Sequence, residues 1–209
     1  VFTRPTEFGA VQYADKKRVT VVAAAGNSGI KISTFTGSES FQGQYPLSFN
    51  EVISVAALSQ NGTTRANYSN FGKIDISAPG SYIYSTKLNN TIDYDSGTSM
   101  AAPMVSAFAG FILALDPNLH PKSVLEAMCA NPTPVAINDD RGTNAEFVGC
   151  GRINLGATLN TVNNSLPLPK ITTNCGGDGE AACPAGRWFE QFSFQFTVQG
   201  RVTPLKWSY

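Results

Sequence analysis

The sequence predicts an α/β domain in which a mostly parallel sheet is flanked by helices. Short apolar runs of strand composition, at residues 19–25, 52–57, 74–78 and 82–86, each end at turn residues. Segments of helical composition lie around them, at residues 8–17, at 100–115 and in a shorter stretch that Pro121 opens. Such alternation builds parallel sheets, because two parallel neighbours need a crossover connection, usually a helix. Length agrees: 209 residues, 42% of them hydrophobic, suffice for one main core and a tail.

Taken in order, residues 8–17 place Ala10, Val11 and Ala14 on one helical face. The run Val19-Thr-Val-Val-Ala-Ala-Ala25 has almost no polar residue, which suits a strand buried on both faces. Gly26-Asn27-Ser28-Gly29 ends it, and a Ser/Thr/Gly loop runs on to Gln44. Asn61-Gly62 and Pro79-Gly80 punctuate the later strands. In residues 100–115, Met104, Val105, Phe108, Phe111, Ile112 and Leu115 leave almost no polar face, the pattern of a buried central helix. Asp116-Pro117 stops it. Pro121 then opens a helix that turns Val124, Leu125 and Met128 to the core, and Asn131-Pro132 ends that helix. Ligands of such sheets bind beyond the carboxyl ends of the strands, and Asn27 and Ser99 fall at such places.

Beyond Asn160 the chain turns polar and Pro-rich through Leu166-Pro-Leu-Pro169. The expected organisation is a domain over residues 1–160, a linker over 161–174 and a Cys-stapled tail over 175–209. In the tail Phe192, Phe194, Phe196 and Val198 alternate with Ser193, Gln195 and Thr197, the period of a half-buried strand.

Lys+Arg and Asp+Glu are both 15, which gives no basic footprint for nucleic acid. The longest apolar stretches fall short of the roughly 20 residues that span a bilayer, so no membrane partner is expected. The four cysteines form two plausible local pairs, Cys129 with Cys150 and Cys175 with Cys183, among three possible connectivities. Neither pair has metal-ligand spacing and the one histidine is His120, so disulfides are favoured over zinc. Disulfides and the sequons at Asn61, Asn67, Asn89 and Asn163 fit a secreted or extracellular protein. The chain begins at Val1 with neither an initiator Met nor a signal peptide, which reads as a processed product or a partial sequence.

The chemistry centres on Gly97-Thr98-Ser99-Met100-Ala101-Ala102-Pro103, which sets a serine between a glycine and the apolar helix. Unpaired N–H groups and the positive dipole end at such a position favour an oxyanion, so the Ser99 amide can donate to one. Pro103 is expected within the first turn, where a missing N–H costs least. Without further signals, Ser99 reads at least as readily as a helix cap, and Asn27 reads as a turn former.

The seven-residue string resembles the nucleophile motif of the subtilases. Val21-Val-Ala-Ala-Ala-Gly-Asn27-Ser-Gly29 is similar to the strand and turn that carry the family's oxyanion-hole asparagine. Tyr45-Pro46, Glu51-Val-Ile-Ser-Val-Ala56, Tyr68-Ser-Asn-Phe-Gly72, Ile76-Ser-Ala-Pro-Gly80 and Gly149-Cys-Gly-Arg-Ile-Asn-Leu155 match further segments in order. The resemblance covers about residues 8–160 and implies a subtilisin-like fold whose N-terminal portion is missing here. It implies a serine endopeptidase working through an acyl-enzyme on Ser99, with Asn27 in the oxyanion hole and protein or peptide substrates. Ala24, Ala25 and Gly26 would line a substrate pocket, and Thr98 is placed with the substrate-binding residues. In subtilisin itself, a member of this family, losing such a donor costs about 10²–10³ in turnover.

The family's Asp-Ser/Thr-Gly and His-Gly-Thr-His motifs, which bring the triad Asp and His, precede the resembled region and do not occur in this sequence. His120 lies beyond the apolar helix, on the order of 25 Å from its start, and is not the base. Met104 stands where many subtilases carry a histidine. An N-terminal portion of the same protease, carrying Asp and His, is therefore the expected partner. A nicked enzyme, a truncated sequence and an inactive fragment or pseudoprotease that serves as a binding module are the alternatives. An α/β-hydrolase is disfavoured, because its histidine follows the serine at a distance that His120 does not meet. Calcium often stabilises the family, but no Asp-rich loop predicts a site here; no metal ligand is assigned and no cofactor is expected to be required.

Overall fold

A computed structural model describes residues 5–34, 44–136, 144–158, 195–198 and 201–204. Helix α1 (Pro5–Lys16) leads into strand β1 (Val21–Ala24), followed by β2 (Lys31–Ile32), β3 (Val52–Leu58), β4 (Phe71–Gly72) and β5 (Ile76–Pro79). β1, β3 and β5 form a parallel sheet in that spatial order, in which Val55 is the partner of Ala24 on one side and of Ile76 on the other. β3 is central because Val-Ile-Ser-Val-Ala-Ala-Leu is apolar on both faces, and every one of its residues is buried. Its one polar residue is satisfied: Ser54 donates its N–H and hydroxyl to Asp75 Oδ2, at 2.7 and 2.9 Å. The same carboxylate pairs with Lys73, whose Nζ also donates to the Val52 carbonyl at 2.7 Å.

The two edges of the sheet differ. Alongside β5, Ser77 N–H donates to the Gly151 carbonyl and Ile153 N–H to the Ser77 carbonyl, both at 2.9 Å, so the closing segment covers that edge. Cys129 and Cys150 are bridged, with Cα atoms 5.6 Å apart, and tie that segment to a helix. β1 pairs only with β3 among the described residues, and all four of its residues are half-buried. The expectation of a strand buried on both faces is therefore corrected. An apolar run reveals the character of a strand but not how many neighbours its own chain supplies.

The segment 82–86 forms a strand, as its sequence predicts, but outside the parallel sheet. β6 (Ile83–Thr86) turns back into an antiparallel hairpin with β7 (Ile92–Asp95), which Ile-Asp-Tyr-Asp did not announce. Tyr84 and Tyr94 pack ring to ring at 4.9 Å on its exposed surface. From the hairpin the chain enters α2 (Thr98–Leu115), then α3 (Pro121–Cys129) and α4 (Asn144–Val148).

α2 is the core helix. Ala101, Val105, Phe108, Ala109 and Ile112 pack with Val55, Ile76 and Ala78 of the sheet and with Val124 and Met128 of α3. At 18 residues and a mean hydropathy of 1.7 it is long and apolar enough to cross a membrane by composition, yet its inner face is spent on this core. It is not buried all round, as its sequence suggests. Ser106, Ala107, Gly110 and Phe111 are exposed and Leu115 is half-buried, because the sheet and α3 cover only one side. On α1, Phe8 and Val11 pack with Phe49 and Val52, while Ala10, expected on that face, is exposed.

Val1–Val162 and Asn163–Tyr209 are separate compact units. In the second, β8 (Gln195–Val198) pairs antiparallel with β9 (Arg201–Pro204). The linker, Cys175, Cys183 and residues 192–194 of the expected strand lie outside the described residues.

Candidate active site

The carboxyl end of β1 runs into a turn that needs two glycines with positive φ, Gly26 at 92° and Gly29 at 63°. A Cβ on Gly26 would lie 2.6 Å from Asn70 Nδ2 and 2.9 Å from Gln44 Oε1, so the position excludes side chains on space as well as on backbone. Ala25 is fully buried, Ala24 half-buried, and Asn27 projects at the exposed crest.

The start of α2 is built against that turn. Gly97, the cap residue, has extended backbone (φ 162°) and donates its N–H to the Gly80 carbonyl at 2.7 Å. Gly80 permits this approach because a Cβ there would sit 2.5 Å from the Ala57 Cβ and 3.0 Å from the Gly97 carbonyl oxygen. Tyr68 OH donates to the same Gly80 carbonyl at 2.8 Å. Thr98 is buried; its backbone N–H and its hydroxyl both donate to Asn27 Oδ1 at 2.9 Å, and the hydroxyl oxygen accepts the Gly26 N–H at 3.0 Å. Met100 N–H turns back to the Gly97 carbonyl at 3.0 Å.

Of the N–H groups at this helix end, one stands apart. The N–H groups of Gly97, Thr98 and Met100 are engaged, whereas that of exposed Ser99 makes no hydrogen bond among the described residues. Asn27 is left with a matching vacancy: Oδ1 holds two donors, and Nδ2 makes no hydrogen bond among the described residues. Nδ2 lies close to the helix start, 3.3 Å from where a Gly97 Cβ would be. Two unspent donors and a hydroxyl thus meet at the positive end of an 18-residue helix dipole. Just before it, Lys87 Nζ donates to Asp95 Oδ2 at 2.5 Å and Ser96 N–H to Oδ1 at 2.8 Å; the Lys87 bond foremost holds the Asp95 carboxyl below its ordinary value.

Ser99, Asn27, Thr98 and Gly26 are thereby brought together, with Ala24 and Ala25 leading into the turn. His120 is not among them: it caps α3, accepts the Lys122 N–H at Nδ1 (3.4 Å), and its Nε2 lies 3.5 Å from Asp15 Oδ2 on α1. Among the described residues no group of His, Cys, Asp and Glu is placed to hold a metal. Pro103 departs from its expected place, since α2 begins at Thr98 and puts it beyond the first turn. Its missing N–H removes the usual helical partner of the Ser99 carbonyl. Met104 packs against the core as an apolar filler. Asn70, Tyr68 and Gly80 support the site, although the sequence marks only the segments that contain them.

Residues 3–151 match the family model for the subtilases. Subtilisin DY of Bacillus licheniformis is 36% identical over 149 residues, which are 71% of this chain and 49% of that protein. The cell wall-associated protease of Bacillus subtilis is 42% identical over 173 residues, covering 73% of this chain and 18% of that one. Among solved structures, a protease from Pseudoalteromonas arctica aligns with a TM-score of 0.61 at 25% identity, over 77% of this chain and 48% of that one. The chain thus spans half or less of the length of these relatives. The parallel sheet flanked by helices is the subtilisin-like fold, and the chain belongs to the subtilase family.

Proposed function

We propose that this chain is the nucleophile-bearing part of a secreted serine endopeptidase. The observation that carries the reading is the pair of unspent donors, Ser99 N–H and Asn27 Nδ2, beside an exposed serine hydroxyl. Ser99 Oγ attacks the carbonyl carbon of a peptide bond, a C–O bond forms, and the carbonyl electron pair moves onto oxygen between the two donors. A base accepts the Ser99 proton and passes it to the leaving amine as the C–N bond breaks; water then releases the acyl group by the same steps. Ala24, Ala25 and Gly26 form a wall of small residues for the side chain preceding the cleaved bond, with Thr98 holding the turn behind them. The scheme uses side chains and backbone only and calls on no cofactor. The Bacillus subtilis relative's name places it at the cell wall, which favours the extracellular reading.

The base comes from an N-terminal portion of the same protease that carries Asp and His. Two surfaces favour that partner: the edge of β1 that has no strand partner among the described residues, and the exposed face of α2 formed by Ser106, Ala107, Gly110 and Phe111. Unpaired strand edges are templates for another strand, and small residues admit close helix packing. The position of His120 beside Asp15 supports a second reading, in which the chain by itself is an inactive scaffold that binds without cleaving.

The test is the native protein treated with a fluorophosphonate probe, beside intact mass under non-reducing conditions and a Ser99→Ala control. Labelling of Ser99 together with a co-purifying portion that contains Asp and His supports the protease. An unlabelled 209-residue chain on its own would favour the scaffold.

A further inference from the structure

We infer that Asn70 is a positioning residue for Asn27, setting where the oxyanion donor stands; this rests on the endopeptidase reading above. Asn70 is fully buried and lies in the chain far from the turn it touches. Its side chain uses every hydrogen-bonding capacity an amide has. Nδ2 donates to the Ala25 carbonyl at 2.8 Å and to Gln44 Oε1 at 3.0 Å, while Oδ1 accepts the N–H groups of Ser28 at 3.0 Å and Ile30 at 3.1 Å. Its backbone N–H donates to the Gly26 carbonyl at 2.9 Å.

These contacts bracket Asn27 without touching it. Two carbonyls before it, at Ala25 and Gly26, and two N–H groups after it, at Ser28 and Ile30, are fixed by one residue. The bracket is needed because Asn27 stands between Gly26 and Gly29, whose backbone freedom would otherwise let the crest of the turn wander. Gly29 N–H adds a bond to the Tyr68 carbonyl at 2.8 Å, docking the turn on the same segment. Gly26 completes the arrangement from the other side, since any side chain there would occupy the space of the Asn70 amide. Thr98 fixes the rotation of the Asn27 side chain, and Asn70 fixes the backbone from which it projects.

The test is a double-mutant cycle in the native active protease, with the base-bearing portion present. Asn27→Ala should lower kcat by about 10²–10³. Asn70→Ala should lower kcat by about 10- to 100-fold, the scale of a displacement near 1 Å, because it acts through Asn27. In the Asn27→Ala background the Asn70 change should then cost less than about 3-fold, since the donor it positions is gone. If Asn70→Ala does not fold, Asn70→Ser, whose hydroxyl can still meet one N–H, enters the same cycle with a smaller first step and the same collapse of the second. Full additivity, or a parental kcat in a folded Asn70 variant, overturns the positioning role and leaves the endopeptidase reading intact. An inactive parent, or an Asn27→Ala variant with parental kcat, overturns that reading and this inference with it.

Discussion

Thr98 gives both of its hydrogens to one atom: its backbone N–H and its hydroxyl each lie 2.9 Å from Asn27 Oδ1. An amide whose oxygen is held twice has its nitrogen aimed by default, so the donor is set before any substrate arrives. Such preorganisation is what makes a fixed dipole worth more than water at a developing charge.

Thr98→Val keeps the shape and the backbone bond but removes the hydroxyl, leaving Asn27 Oδ1 held once instead of twice and the Gly26 N–H without its acceptor. The loss of a buried partner should cost about 1–3 kcal/mol in stability, and kcat in the native protease should fall about tenfold. Thr98→Ser restores both contacts and should stay near the parent. Equal turnover by the valine and serine variants would show that the hold on Asn27 is not needed.

Two glycines on either side of the Asn27–Thr98 contact should respond differently. Gly26→Ala combines a φ of 92° with a Cβ 2.6 Å from Asn70 Nδ2, so urea denaturation should show a loss of about 1–3 kcal/mol or more. Gly97 has extended backbone that any residue adopts, and its Cβ would meet Asn27 Nδ2 at 3.3 Å. Gly97→Ala should therefore leave the urea midpoint nearly unchanged and lower kcat by pressing on the donor.

The sequence was most informative where one chemical pattern has one structural meaning. The apolar run 52–57 was readable as a strand, which β3 extends by one residue, and Pro121 as the start of α3 rather than an interruption. The string from Gly97 to Pro103 pointed to Ser99 as the proposed nucleophile, and Asn27 followed from its own string. What stayed hidden depends on neighbours. β1 and α2 are apolar enough to be fully buried, and only the fold shows that, among the described residues, β1 has a strand on one edge alone and α2 keeps one face exposed. Asn70 was hidden for the same reason: an Asn before Phe-Gly looks like a turn residue until the turn it holds, 40 or more positions upstream, is seen.

Asp95 titrates below its ordinary value because Lys87 donates to it, with the Ser96 N–H and the Lys87 charge adding to the effect. A carboxyl whose folded pKa is depressed contributes stability above its unfolded pKa and loses it as pH falls through the folded value. The Lys87–Asp95 link across the hairpin should thus persist through neutral and mildly acid pH and open only below the ordinary carboxylate range. In Lys87→Ala, NMR titration should find Asp95 moved up towards that range; an unchanged value would assign the effect to the Ser96 N–H instead.

The Cys129–Cys150 bridge should matter more for the closing edge of the sheet than for α3. It joins residues 21 apart, and Cys150 N–H donates to the Asp75 carbonyl at 2.9 Å while the neighbouring Gly151 and Ile153 bond to Ser77 along β5. Gly149 lets the chain pass there, because a Cβ on it would fall 2.1 Å from the Asp75 carbonyl carbon. Intact mass without reductant should be lower by the hydrogens lost on bridging, and a Cys129→Ser, Cys150→Ser double variant should lose about 3 kcal/mol, the chain-entropy value for a loop of this length. α3 keeps Val124 and Met128 fully buried in the core without the bridge, whereas the closing segment sets Ile153 and Leu155 only partly buried against that core and holds to β5 through backbone bonds. Hydrogen exchange should therefore quicken at Ser77 and Ile153 well before it quickens in α3. Uniform loss of protection across both would place the bridge in the global stability of the domain instead of at its edge.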